Sequence, residues 1–269
     1  MKRGIAYLIL ILGAVVFLYP FLWMVAATLK PEMEIPSFGL LPSHVSLASY
    51  EQVFAKIPLL RALINSLVVS FSITASVLFF GSMVGYALSR LRFRGRELMV
   101  MAILFTMMIP FQLTMIPLYI LMVKLHWTDT YLALIVPGMM SGFGILLFRQ
   151  FFQSVPQSLI DAARVDGLSD MQILFRIIWP LSRPILITVG IITFMNTWND
   201  VLWPLIVIRD QSIMTMPQMV TIFAVSGMAE AQLGVKLAAA TLLALPVIVA
   251  YAFFQRYFIE SLASTGLKG

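Results

Sequence analysis

Asn196, Trp198, Asn199 and Asp200 fall within one otherwise apolar run that extends from Arg183 to Ile208. Amides and a carboxylate beside an indole suit a polyhydroxylated ligand, because hydrogen bonds meet hydroxyls and the flat ring meets C–H groups. The same residues suit a plainer role, with the amides holding helices together and the tryptophans anchoring at a membrane interface. Groups for covalent or acid–base chemistry are scarce. The chain has no cysteine and two histidines, His44 and His126, which excludes disulfides, thiolate nucleophiles and histidine-rich metal cages. Neither histidine shares ligand spacing with an acid, so no metal-binding residue is expected. No Gly-x-x-x-x-Gly-Lys-Ser/Thr occurs, so nothing here cradles nucleotide phosphates in a P-loop. No catalytic residue is expected.

A second cluster lies between Arg149 and Arg183. Ser154 is placed to cap a helix whose early turn holds Pro156, where a missing N–H costs nothing. That helix runs to Asp166 and stops at Gly167, a residue suited to a left-handed turn. Ser169 and Gln172 have capping-box spacing for a second helix ending near Trp179-Pro180. On the first helix Leu159, Ala162, Ala163 and Asp166 share a face. The adjacent alanines keep that face low, and Asp161 and Arg164 flank it with charge. An amphipathic helix lying on lipid headgroups is one reading. Three acids within ten residues, Asp161, Asp166 and Asp170, suit an anionic leaflet poorly and favour a docking knob for a soluble protein.

Both clusters need elements to hold them, and the composition says what kind. The 269 residues are 61% hydrophobic and only 11% charged, with mean hydropathy +0.96. Soluble domains carry about 25% charged residues, so a soluble enzyme is excluded and the chain is integral to a membrane. Residues 4–29, 62–89, 98–123, 130–148 and 237–255 carry no charge, and the run after Arg183 is broken only by Asp200. A crossing helix needs about 20 apolar residues, so the expected fold is an all-α bundle of six transmembrane helices. The spans fall at about 5–29, 65–89, 98–122, 131–152, 184–207 and 237–257. The first is longer than a signal-peptide core and is read as retained, with a kink at Pro20. The uncharged stretch 211–229 is too polar to insert freely, and is read as an outer loop with a short helix resting on the bundle. Serines, threonine and Asn65 in the second span are read as helix-packing residues.

Basic residues orient the bundle, because cytoplasmic loops hold the excess of Lys and Arg. With both termini inside, twelve of the 18 basic residues are cytoplasmic and six are outside. Arg90-Leu-Arg-Phe-Arg-Gly-Arg96 is the strongest contribution, as a topology and lipid-headgroup anchor. The net charge of +6 therefore reports orientation, not nucleic acid or an acidic partner.

Asp161-Ala-Ala-Arg-Val-Asp166-Gly167, followed by Phe175-Arg-Ile-Ile-Trp-Pro180-Leu-Ser-Arg-Pro184, resembles the EAA loop of ABC importer permeases. The usual form is Glu-Ala-Ala-x-x-Asp-Gly-Ala with a proline-leucine pair downstream. Asp161 replaces the glutamate here and Leu168 the final alanine. Asn196-Thr-Trp-Asn-Asp200-Val-Leu-Trp-Pro-Leu205 is similar to span five of carbohydrate-importer permeases of the MalG type, and the tail Gln255–Gly269 also resembles theirs. The resemblance implies a single permease domain over residues 1–269, with an EAA loop at about 154–184. It makes Leu159, Asp161, Ala162, Ala163, Arg164, Asp166 and Gly167 the coupling helix. It implies a second homologous permease subunit, two ATP-binding cassette subunits carrying ATP and Mg, and an extracytoplasmic solute-binding protein. No cofactor is expected on this chain. In that group the tail reaches toward the nucleotide-binding subunits.

The competing readings are weaker. An intramembrane serine protease needs a nucleophilic serine in a Gly-x-Ser setting and a histidine within a span; no Gly-x-Ser-Gly occurs and no histidine falls in an expected span. A stand-alone carrier needs coupling charges in its core, for which Asp200 is the sole candidate, and it leaves the knob without a purpose. Within the importer reading, a glycerol phosphoester or an amino acid is the alternative cargo to a sugar.

Overall fold

The computed structural model describes residues 2–36, 39–225 and 232–266, with side chains for residues 4–36, 39–225, 232–249 and 251–252. The described residues form helices and connecting turns, with no strand. In chain order the helices are α1 Lys2–Thr28, α2 Ala48–Lys56, α3 Leu59–Arg90, α4 Arg96–Met108, α5 Phe111–Lys124, α6 Tyr131–Ile135 and α7 Gly142–Gln153. The remainder are α8 Gln157–Val165, α9 Asp170–Ile173, α10 Trp179–Leu181, α11 Arg183–Trp198, α12 Leu202–Val207, α13 Met216–Val225 and α14 Leu233–Gly266.

Among the described residues three stretches are long and apolar enough to cross a membrane: Gly4–Thr28, Leu59–Arg90 and Tyr131–Gln153. They correspond to the expected first, second and fourth spans, and α1 runs unbroken through Pro20. The expected third span is not one straight helix. α4 and α5 meet at a 97° bend, because Pro110 has no N–H to continue the ladder and holds Ile109 extended, at φ −84 and ψ 117. The expected fifth span is also interrupted. α11 has 16 residues, about 24 Å of rise, and Asn199–Val201 separate it from α12. α10 turns into α11 through 87°. The tail residues 255–269 lie outside the described side chains.

α3 is the axis of the bundle, packed along α7 and α11. Close approach to α7 depends on Gly85: a Cβ there would stand 2.6 Å from Phe148 Cβ, so only glycine allows this crossing. Phe148 and Phe152 stack beside it at 5.6 Å, both fully buried. α1 packs on α14 and otherwise leaves its apolar side chains exposed, as lipid contact allows. The carboxylate of Glu32 accepts the N–H groups of Leu233 and Gly234, the latter at 3.0 Å. A negative charge there meets the free donors and positive dipole end of α14.

The segment after Ile208 does more than rest on the bundle. Met216–Val220 and Phe223 of α13 are buried against α3 and α14. Several of its polar groups are met inside: Gln218 Nε2 donates to the Ile208 carbonyl at 2.7 Å, and Met216 N to Ser66 Oγ at 2.7 Å. Asn65 Nδ2 donates to the carbonyls of Ser212 and Met214, at 3.0 and 2.9 Å, while its Oδ1 accepts from Tyr131 OH at 2.6 Å. Part of the polarity that opposed free insertion is thus met by α3, while Thr215 Oγ1 and Gln218 Oε1 find no hydrogen-bond partner among the described residues.

Candidate functional site: a knob and a cavity on one stretch of chain

The knob comprises α8, α9 and α10. Ser154 is not its first cap. It closes α7 instead, its hydroxyl donating to the Phe151 carbonyl at 2.7 Å, and Pro156 holds the N-cap position of α8. The helix ends at Val165, one residue early, with Asp166 as C-cap. Gly167 then takes φ +82 in open space, the left-handed turn its lack of a Cβ permits. Ser169 and Gln172 form the expected capping box, with Ser169 N donating to Gln172 Oε1 at 2.9 Å.

α8 is strongly two-faced. Ile160 is fully buried and Ala163 is 3% exposed, so Ala163 faces inward, not outward with Leu159, Ala162 and Asp166 as the spacing implied. The physical reason is that Ile160 and Ala163, three apart, form the narrow apolar seam that seats α8 on the bundle. Leu159, Asp161, Ala162, Arg164, Asp166 and Gly167 are exposed. Val165, unremarked in the sequence, is 88% exposed and completes an outward apolar surface with Leu159 and Ala162. Arg164 is turned along the knob, not away from it: its Nη2 lies 3.1 Å from Asp170 Oδ1. That hydrogen bond raises the guanidinium above its ordinary pKa. Asp161 Oδ1 accepts from Gln157 Nε2 at 2.9 Å.

α10 leads directly into α11, whose polar side chains face a cavity of about 680 Å³ between α3, α5, α6, α7, α11 and α12. Asn196 and Asp200 line it; Trp198 and Asn199 do not. Trp198 is 1% exposed and stacks on Phe194 at 5.9 Å. Asn199 folds back on its own helix, Nδ2 donating to the Met195 carbonyl at 2.9 Å. Thr193 and Thr197 join the lining, and residues 193, 196, 197 and 200 fall at i, i+3, i+4 and i+7. That spacing was the signal in the sequence that would have found the two threonines.

The aromatic wall comes from Trp203 and Phe111, edge to face at 5.9 Å, with Trp203 Nε1 held by the Ala133 carbonyl at 2.8 Å. Thr215 also lines the cavity, and its buried hydroxyl has no hydrogen-bond partner among the described residues. Asp200 Oδ1 accepts from Trp203 N at 3.4 Å. The volume falls within the range for small-molecule sites, roughly 300–1,000 Å³. Among the described residues no group of three His, Cys, Asp or Glu is placed to hold a metal.

A long helix-rich membrane chain with a helical knob before a broken polar helix has clear relatives. The family "Binding-protein-dependent transport system inner membrane component" matches residues 77–263. The chain belongs to that family. The permease is 35% identical to the arabinooligosaccharides transport system permease protein AraQ of Halalkalibacterium halodurans, over 95% of this chain and 93% of that protein. It is 32% identical to the sn-glycerol-3-phosphate transport system permease protein UgpE of Escherichia coli, over 97% and 95%. A solved bacterial ABC transporter that imports the acidic polysaccharide alginate contains a chain of the same fold, with TM-score 0.83, 27% identity and 96% of each chain covered. This is therefore an inner-membrane ABC importer permease, and the family is one of transport, not of enzymes.

Proposed function

We propose that this permease moves a carbohydrate through the cavity between α3 and α11, driven by ATP hydrolysed on separate subunits that dock on α8. The observation that carries the reading is continuity. One stretch of chain, residues 157–200, holds both the exposed apolar surface of α8 and the polar face Thr193, Asn196, Thr197 and Asp200. A sugar fits that lining chemically, with amide, hydroxyl and carboxylate groups in the same cavity as Trp203 and Phe111. The names of AraQ and of the alginate importer point the same way.

Two ATP-binding cassette subunits would carry ATP and Mg, and Leu159, Ala162, Val165 and Asp166 would enter the groove on one of them. Ala163 supports that surface from beneath, and Gly167 sets the angle of α9. A second homologous permease supplies the other cavity wall, since alternating access needs two halves. The positive-inside balance places both termini in the cytoplasm, which puts Asn65 and α13 at the outer face, where a solute-binding protein delivers cargo. The whole chain acts as one permease domain, and lipid covers its remaining apolar surface.

The test is co-purification from mild detergent followed by uptake into proteoliposomes. Recovery of an ATPase subunit and a second permease, with ATP-dependent uptake of arabinotriose or an alginate oligomer, is expected. Selective uptake of sn-glycerol 3-phosphate would transfer the cargo to the class of UgpE. ATP-independent uptake by the chain alone would overturn the importer mechanism and make Asp200 the coupling group.

A further inference from the structure

We propose that α3, not only the covalently attached α11, transmits movement of the knob to the cavity, and that Ser82, Tyr86 and Arg90 are the positioning residues that make the link. The inference rests on the coupling role of α8 given above and adds the path beyond it.

Ser82, Tyr86 and Arg90 are spaced four apart, so they form one stripe that drifts by only about 40° per step around α3. Each grips a different part of the knob. Trp179 Nε1, on α10, donates to Ser82 Oγ at 3.0 Å. Tyr86 OH donates to Asp170 Oδ1, at the start of α9, at 3.0 Å. The same carboxylate oxygen takes Arg164 Nη2 of α8. Arg90 Nε donates to the Phe152 carbonyl at 2.9 Å, its Nη2 reaches the carbonyls of Phe152 and Val155, and its Nη1 meets Gln157 Oε1 at 2.9 Å. The orphan carbonyls at the end of α7 are thereby satisfied by a cation, as the helix terminus favours. Gln157 in turn donates to Asp161. The stripe thus holds the knob on both sides of the Gly167 turn.

Apolar contacts reinforce it. Phe79 of α3 stacks on Phe175 at 5.4 Å, and Phe175 meets Trp179 at 5.0 Å. Further along the same helix, Val69, Ile73 and Val77 line the cavity, and Asn65 and Ser66 hold the 212–216 segment. A fully hydrogen-bonded helix carries rotation and translation along its length with little internal give. The covalent route differs, because it passes through the 87° corner between α10 and α11. Three non-covalent grips on one uninterrupted helix of 32 residues therefore form the stiffer connection.

The chain contains no cysteine, so spin labels at Phe80→Cys and Met171→Cys are its only thiols. The experiment measures the distance between them by pulsed electron resonance in the assembled transporter, before and after trapping with ATP and vanadate. The expected result is one peak whose position does not change on trapping, because α3 and the knob move as one body. Adding Tyr86→Phe with Arg90→Lys is expected to broaden that peak and shift it on trapping. ATPase subunits remain bound in that variant, and transport per ATP hydrolysed falls about tenfold, the order expected for losing hydrogen bonds to charged groups. A peak that shifts on trapping without the substitutions, or one that stays fixed with them, overturns the proposal. Failure of the coupling reading looks different: Leu159→Asp with Val165→Asp would then retain the ATPase subunits, whatever the labels report.

Discussion

The two ends of α3 do the same job by opposite means. At the knob end, charged and long side chains, Tyr86 and Arg90, reach out to carbonyls and a carboxylate that stay partly exposed. At the far end two short side chains, Asn65 and Ser66, are 2% exposed and take backbone groups of a segment about 150 positions away in the chain. The first end is partly buried, and its bonds hold the knob at the margin of the bundle. The second end is sealed, and every bond lost there leaves a buried group unpaired. One end ties α3 to the knob through long side chains, and the other ties it to the 212–216 segment through short buried ones.

The largest expected effect lies at the knob. Gly167→Pro removes both the left-handed turn and a backbone donor, Gly167 N to the Arg164 carbonyl at 3.0 Å. Uptake should be abolished and ATPase co-purification lost, while the protein still inserts, as membrane fractionation would report. Normal uptake would remove Gly167 from the coupling mechanism.

Next is the axis itself. Gly85→Val forces α3 away from Phe148 and should destabilise the bundle by about 1–3 kcal/mol or more, read as a lower melting temperature in detergent at both ends alike. A loss confined to the knob would mean that α7 yields more easily than its packing implies.

Asn65→Ala sharpens the other side of the comparison. It strands the Ser212 and Met214 carbonyls and should cost about 1–3 kcal/mol, with faster amide exchange over residues 212–220 and an unchanged knob. In the cavity, Asp200→Asn should change uptake by about tenfold or less with assembly intact. A cargo-independent loss of folding would make Asp200 a structural residue.

The smallest effect is a pH dependence in the loop before α2. Two bonds from Ser43, one from its hydroxyl and one from its backbone N–H, hold Glu34 below its ordinary value of 4.5. A depressed carboxylate contributes order above the ordinary value and loses it as pH falls through the lowered one. Protection of the Ser43 amide should therefore be constant near neutrality and in mild acid, and disappear only as the pH falls below 4.5 and through the lowered value. Glu34→Gln should abolish that dependence.

The knob was legible in the sequence because its determinants are local. Gly167, the Ser169–Gln172 box and the helix around Asp161 are each specified within four residues of themselves, so spacing alone recovers them. The misassignments there, Ser154 and Ala163, arose where a neighbouring element claimed the residue: α7 took the hydroxyl, and the bundle took the methyl through Ile160. The cavity was legible only in part. Asn196 and Asp200 announce themselves as polar groups in an apolar run, but Trp198 and Trp203 cannot be told apart without knowing where the helix breaks.

Membrane residence, an all-helical fold and the helix–glycine–helix knob follow from the sequence by itself, because composition and short-range spacing decide them. Hydrocarbon accepts only backbones whose hydrogen bonds close internally, and that requirement is met or failed by each segment alone. Which indole reaches the cavity, how far α13 sinks into the bundle, and the grip of α3 on the knob belong to the tertiary structure. Each joins residues tens of positions or more apart, as Tyr86 and Asp170 are joined. Such contacts depend on helix directions set by the breaks at Ile109–Pro110 and Asn199–Val201 and by the close approach at Gly85, and no local spacing encodes them.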